Sequence, residues 1–161
     1  MTQPIPEGHE GLIPHLVCDP CPEAIEFYKK AFGAEELGRV EQPGTGKIMH
    51  AAMRIDGRVL FLVDDFPEFC MDGEGKPNSP KALGGSPVTI HRYVQDCDAA
   101  VKQAERAGAK VQMPPEDMFW GDRYAVIVDP FGHCWSLGTH IREVSEEEMD
   151  ATLAQMAPQE A

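Results

Sequence analysis

The sequence has no run approaching the ~20 apolar residues that a bilayer-spanning helix needs. Its first residues, Met1-Thr2-Gln3-Pro4-Ile5-Pro6-Glu7-Gly8, hold neither a basic cluster nor an apolar core. No secretory signal is expected there, and the protein reads as cytoplasmic. Positive charge is scarce: 14 Lys and Arg against 27 Asp and Glu give a net charge of −13. Nucleic acids and anionic membranes are held by cations, so neither is an expected partner. The acidic balance favours the approach of a cationic ligand or a metal. No second Cys-x-x-Cys pair exists to complete a zinc site with Cys18-Asp19-Pro20-Cys21. Five cysteines with no export signal are expected to be reduced thiols. Cys21 falls at a helix start, where the dipole lowers a thiol pKa, so thiol redox chemistry through Cys18 and Cys21 is one alternative activity.

What is present suits one folded unit. A chain of 161 residues, 42% hydrophobic and 25% charged, is long enough for a substantial core. Residues 1–10 read as an N-terminal arm. Residues 11–18 form an apolar strand, ended by Asp19-Pro20. Residues 22–32 show helical spacing: Ala24, Phe27, Tyr28, Ala31 and Phe32 on one side, Glu26, Lys29 and Lys30 on the other. Strand-like runs follow at 36–41, 47–55 and 58–64, the last two joined by the hairpin signal Asp56-Gly57. The first unit spans 11–64. Residues 65–86 hold Asp72, Gly73, Gly75, Pro77, Asn78, Pro80, Gly84 and Gly85 and read as an irregular connector.

The pattern then repeats over 87–141. A strand at 88–94 precedes a helix from Asp96-Cys97-Asp98 to about Ala107. Strands at 110–113, 123–128 and 133–140 follow, the last two joined by Asp129-Pro130-Phe131-Gly132. Landmarks of the two units lie at nearly constant offsets: 77 for Asp19 and Asp96, 75 for Gly33 and Gly108, 73 for Asp56 and Asp129. A duplicated strand-helix-three-strand unit is the expected architecture, in the α+β class. Residues 142–161 are an acidic tail. Ser145-Glu146-Glu147-Glu148 there predicts a helix start, and Met149, Leu153 and Met156 a narrow apolar stripe.

This tandem βαβββ pattern resembles the vicinal oxygen chelate superfamily, which includes glyoxalase I, extradiol dioxygenases and bleomycin-resistance proteins. Three stretches carry the likeness: Ala24-Ile25-Glu26-Phe27-Tyr28-Lys29-Lys30-Ala31-Phe32-Gly33-Ala34, Gly121-Asp122-Arg123, and Asp129-Pro130-Phe131-Gly132-His133-Cys134-Trp135. Within the superfamily they are most similar to the glyoxalase-like, PhnB-type subgroup. The resemblance implies curved mixed sheets around a cleft and, from relatives that share clefts between chains, a homodimer. It also implies four metal-ligand positions, which fall here at Ile13, Phe61, Thr89 and Ser136. None is the His or carboxylate the family uses, so the usual metal site reads as lost and no cofactor is expected.

Strand alternation sends residues two apart to one face. His15 therefore accompanies Ile13, His91 and Tyr93 accompany Thr89, and His140 accompanies Ser136; His50 lies on the third strand. The candidate ligand-binding residues are His15, His50, Phe61, Thr89, His91, Trp120, Asp122, Arg123, Ser136 and His140. Trp120 is suited to stacking on a planar ligand and Arg123 to holding a carboxylate or phosphate. Trp135 and Leu137 face the opposite way, into the core. Two functions follow as expectations. The first is a small-molecule-binding protein without the usual metal. The second is a metal-dependent lyase, isomerase or dioxygenase using displaced histidine ligands.

Overall fold

The computed structural model describes residues 3–69 and 75–156. Asp72 and Gly73 of the connector, Cys70, and Glu160 of the tail lie outside them. The first unit runs β1 (His15–Cys18), α1 (Cys21–Phe32), β2 (Glu35–Glu41), β3 (Ile48–Ile55) and β4 (Arg58–Asp64). The second runs β5 (Thr89–Tyr93), α3 (Cys97–Ala107), β6 (Lys110–Asp117), β7 (Asp122–Val128) and β8 (Cys134–His140). Each forms a four-stranded mixed sheet of the same order, β1-β4-β3-β2 and β5-β8-β7-β6. The first strand of each unit pairs parallel with the last, and the other pairs are antiparallel. Two copies of one α+β module are thus present.

Each helix covers one face of its sheet. On α1, Ala24, Ile25, Phe27, Tyr28 and Phe32 are buried at the predicted helical spacing. They meet the inward faces of β1, β3 and β4 through Leu16, Cys18, Ile48, Ala51, Met53 and Leu62. On α3, Val101 and Ala104 meet Ala125, Ile127, Trp135 and Leu137. Trp135 is core, as alternation predicts, and packs against Phe32 with ring centroids 4.8 Å apart. Asp96 caps α3 by accepting from the Ala99 N–H at 2.9 Å. The N-terminus of α1 is tied down otherwise: Asp64, at the end of β4, accepts from the N–H groups of Cys21 and Ile48.

The modules are joined at two corners. Asp129, 4% exposed, accepts from the Tyr28 hydroxyl at 2.6 Å, the Trp135 indole at 2.9 Å, and the N–H groups of Phe131 and His133. The first module's corner reaches the other way, with Arg92 donating to Asp56 while lying over the Phe32 ring. His133 adds a hydrogen bond to the Val17 carbonyl.

Several expected boundaries shift. The strand predicted from residue 11 begins at His15: Pro14 offers no N–H, and only its carbonyl is used, by the Phe61 N–H. The strand predicted at 110–113 extends to Asp117 through Pro114-Pro115. Prolines fit there because β6 is an edge strand with register shifts on either side of Met113. The connector holds a one-turn 3-10 helix (Pro67–Phe69) and a short helix, α2 (Pro80–Leu83). It is fastened by Asp65, which accepts from the N–H groups of Asn78 and Ser79. The tail helix, α4 (Glu146–Met156), starts at Ser145 as predicted and has no buried residue. No helix among the described residues is long and apolar enough to cross a membrane.

Candidate functional site

The face of each sheet turned away from its helix carries most of the candidate residues, and matching strand rungs show how the two faces correspond. His15 lies opposite Phe61, and His91 lies opposite Ser136. His15 is therefore the counterpart of His91, and Phe61 of Ser136. The residues two further on pair as Val17 with Val63 and Tyr93 with Gly138. Ile13 precedes β1 and Thr89 lies opposite Cys134, so neither shares a rung with Phe61 or Ser136.

On the first module Phe61 sits among imidazoles. Its ring centroid lies 4.7 Å from His50, 5.8 Å from His15 and 6.0 Å from His9. His15 and His50 are themselves 6.0 Å apart. Burial, with a smaller contribution from the neighbouring His50, holds the His15 pKa below its ordinary value. A cavity of about 310 Å³ opens further along, lined by Val17, Met49, Val63, Phe66 and Phe69 together with the polar Asp64, Asp65 and Asn78.

The second module's face is polar and hydrogen-bonded. His91 Nδ1 bonds Ser136 Oγ at 2.8 Å. Asp122, 5% exposed, accepts from the Tyr93 hydroxyl and from His140 Nδ1, both at 2.9 Å. Burial pushes the Asp122 carboxyl up, but the hydrogen bonds from His140 and Tyr93 outweigh it and leave the pKa below its usual value. His140 is raised in turn, first by that bond and then by Glu143. Tyr124 lies 6.0 Å from His91 and 5.7 Å from Trp120, and His91 lies 4.7 Å from Tyr93. The preceding turn needs Gly121, whose φ is +100°; a Cβ there would stand 2.3 Å from the Arg142 carbonyl oxygen.

Arg123 does not join this group. It points to the helix side, where its guanidinium donates to Asp98 on α3 and to Asp117. Alternation from Asp122 places it there. Tyr124 and His9 belong to the two faces and were not among the residues expected. The same alternation from Asp122 points to Tyr124, whereas His9 lies in an arm with no periodicity to read. Between the edge strands β1 and β5 runs a cavity of about 570 Å³, lined in part by His15, Thr89 and His133. His91 and Tyr93 border a neighbouring one of about 480 Å³.

Comparison with known proteins settles the lineage. Residues 13–137 match the family described as Glyoxalase/Bleomycin resistance protein/Dioxygenase superfamily. The chain belongs to that superfamily. An uncharacterized protein of Mycobacterium tuberculosis is 52% identical over 144 residues, covering 89% of this chain and 82% of that one. TioX from Micromonospora sp. ML1 is 25% identical, with a TM-score of 0.59 over 81% of this chain and all of that one. The fosfomycin resistance protein FosX of Listeria monocytogenes, solved with Mn(II) and sulfate, shares the fold at 14% identity. Its TM-score is 0.60 over 87% of this chain and 97% of that one.

Ile13, Phe61, Thr89 and Ser136 do not make a divalent-metal site, since none offers an imidazole, thiolate or carboxylate. Among the described residues no three His, Cys, Asp or Glu side chains converge to hold a metal. Of the four candidate histidines, His15 and His50 fall as a pair on the first module, and His91 and His140 fall singly on the second, each with its own partner. The thiol-redox alternative fails on burial. Cys18 and Cys21 are fully buried, and burial pushes the Cys21 thiol up to about 12 and Cys18 higher still, the opposite of an activated pair.

Proposed function

We propose that this superfamily member binds a small organic molecule on the cleft faces of its modules, without a metal at the four usual positions. It acts as a homodimer of the PhnB-type, glyoxalase-like subgroup. The observation that carries this reading is Phe61. At a position where the family resemblance implies a metal ligand, this chain has an aromatic ring packed among His9, His15 and His50. Such a surface buries a flat, apolar molecule better than it holds an ion. The exposed rings of Tyr93 and Trp120 on the second module add to the contact area.

The test is titration of EDTA-treated protein with a panel of planar aromatic compounds, read by tryptophan fluorescence and by mass spectrometry of the recovered compound. Trp120 is accessible and Trp135 is buried, so Trp120→Phe removes the responsive signal. Saturable quenching with unaltered compound supports the proposal; turnover, or binding that needs added metal, overturns it. One observation favours the enzyme reading, the approach of His15 and His50 to 6.0 Å. That reading requires stabilisation by nickel, zinc, manganese or iron(II) that disappears in His50→Ala.

A further inference from the structure

We propose that the cleft face of the second module binds the ammonium group of an organic cation, with Asp122 as counter-charge and the rings of Trp120, Tyr124, His91 and Tyr93 as the surface it lies against. This rests on the small-molecule reading above and names the charge of the ligand and the half of the cleft that takes it. The rings form a connected chain, from Trp120 to Tyr124, Tyr124 to His91 and His91 to Tyr93. The last link, the Tyr93 hydroxyl, is hydrogen-bonded to the nearly buried Asp122 carboxylate. Gly138 makes the arrangement possible. A Cβ there would meet His91 Cε1 at 3.0 Å and Tyr93 Cε1 at 3.3 Å, so the missing side chain lets both rings lie down on β8.

A carboxylate among aromatic rings is a recognition site for a cation, because ring faces carry negative charge density and the carboxylate supplies a full one. The charged neighbours do not cancel it. Arg123 is spent on Asp98 and Asp117 on the helix side, and Arg142 pairs with Glu148 at 2.7 Å. Tyr93 donates to Asp122 as a neutral group. Trp120 also donates to it as a neutral group. The ionisable cationic partner is His140, whose Nε2 also lies 3.4 Å from Glu143. Protonated, His140 occupies the place of a ligand cation; neutral, it leaves the Asp122 charge to the ligand. The net charge of −13 draws cations toward the site from solution.

The experiment compares phenyltrimethylammonium, whose charge is fixed, with the uncharged benzyl alcohol, by isothermal titration calorimetry on the full chain. Near pH 8 the cation is expected to bind about tenfold more tightly or better. Asp122→Asn brings the two within about threefold, and Trp120→Ala weakens both. Lowering the pH to about 5.5 weakens the cation more in the native sequence than in His140→Asn. Equal binding of both probes, or a preference that survives in Asp122→Asn, overturns the proposal. If neither probe binds but an uncharged compound of the aromatic panel does, the cation assignment falls and the small-molecule reading stands. If Asp122→Asn loses cooperative unfolding, the comparison of probes and pH values in the native sequence decides.

Discussion

The two modules share one backbone plan and solve it with opposite chemistry. Where the first has Phe61, the second has Ser136; where the first pairs Val17 with Val63, the second pairs Tyr93 with Gly138. His15 and His50 on the first face lie against Phe61, whereas His91 and His140 on the second are anchored by hydrogen bonds to Ser136 and Asp122. The corners differ as well. Asp56 is exposed and takes the left-handed conformation of a tight hairpin, while Asp129 is buried and accepts four hydrogen bonds. Duplication supplies a scaffold twice, and divergence has made one half apolar and the other polar.

The largest expected effect breaks the comparison at the corners. Asp129→Ala strands the Tyr28 hydroxyl, the Trp135 indole and two backbone N–H groups inside the protein. Each buried group left unpaired costs about 1–3 kcal/mol, and with partial relaxation the total should be about 3–5 kcal/mol in urea unfolding. Asp56→Ala removes the partner of Arg92 and puts alanine in a left-handed conformation, and should cost about 1–2 kcal/mol. Equal losses at the two corners would show that burial does not separate them.

The next effect exchanges one module's solution for the other's. Gly138→Val gives the second module the residue of the first. The new side chain collides with His91 and Tyr93, which must leave β8. Overpacking of this kind costs about 1–3 kcal/mol. The reverse change, Val63→Gly, should leave the second module's histidine resonances unmoved. A Gly138→Val protein of native stability with unshifted His91 and Tyr93 signals would contradict the close-approach argument.

Much of the scaffold is legible in the sequence itself. Helical spacing marks α1 and α3, Asp56-Gly57 marks the hairpin, and nearly constant offsets mark the duplication. Those features depend on local pattern. The site was legible only in part, because it depends on register and on long-range contact. Asp122 and Arg123 read as one cluster in the sequence, yet alternation sends them to opposite faces, and Arg123 pairs with Asp98 on a helix 25 residues away. The rungs that set His15 beside Phe61 and His91 beside Ser136 depend on where each strand begins, which Pro14 decides in the first module. The role of Asp129 requires Tyr28, 101 residues distant, and no local pattern announces it.

Smaller in energy, but sharpest in sign, is the expected titration of the two faces. His140 donates to Asp122, so its folded pKa lies above the ordinary value of 6.5. Its stabilisation is complete below the unfolded value and is lost as pH rises through the folded one. His15 goes the other way, lowered by burial and by His50. It exacts no penalty above its unfolded value, a growing one as pH falls toward its folded value, and the full penalty below that. Imidazole C–H resonances followed by NMR should therefore give a His140 midpoint above that of free histidine and a His15 midpoint below it. Asp122→Asn should return His140 toward 6.5 while leaving His15 in place, because the two belong to separate modules with separate partners. Equal midpoints for the two, or a His15 midpoint that moves with Asp122, would mean that the faces are electrically one site, and the division of labour between the modules would have to be abandoned.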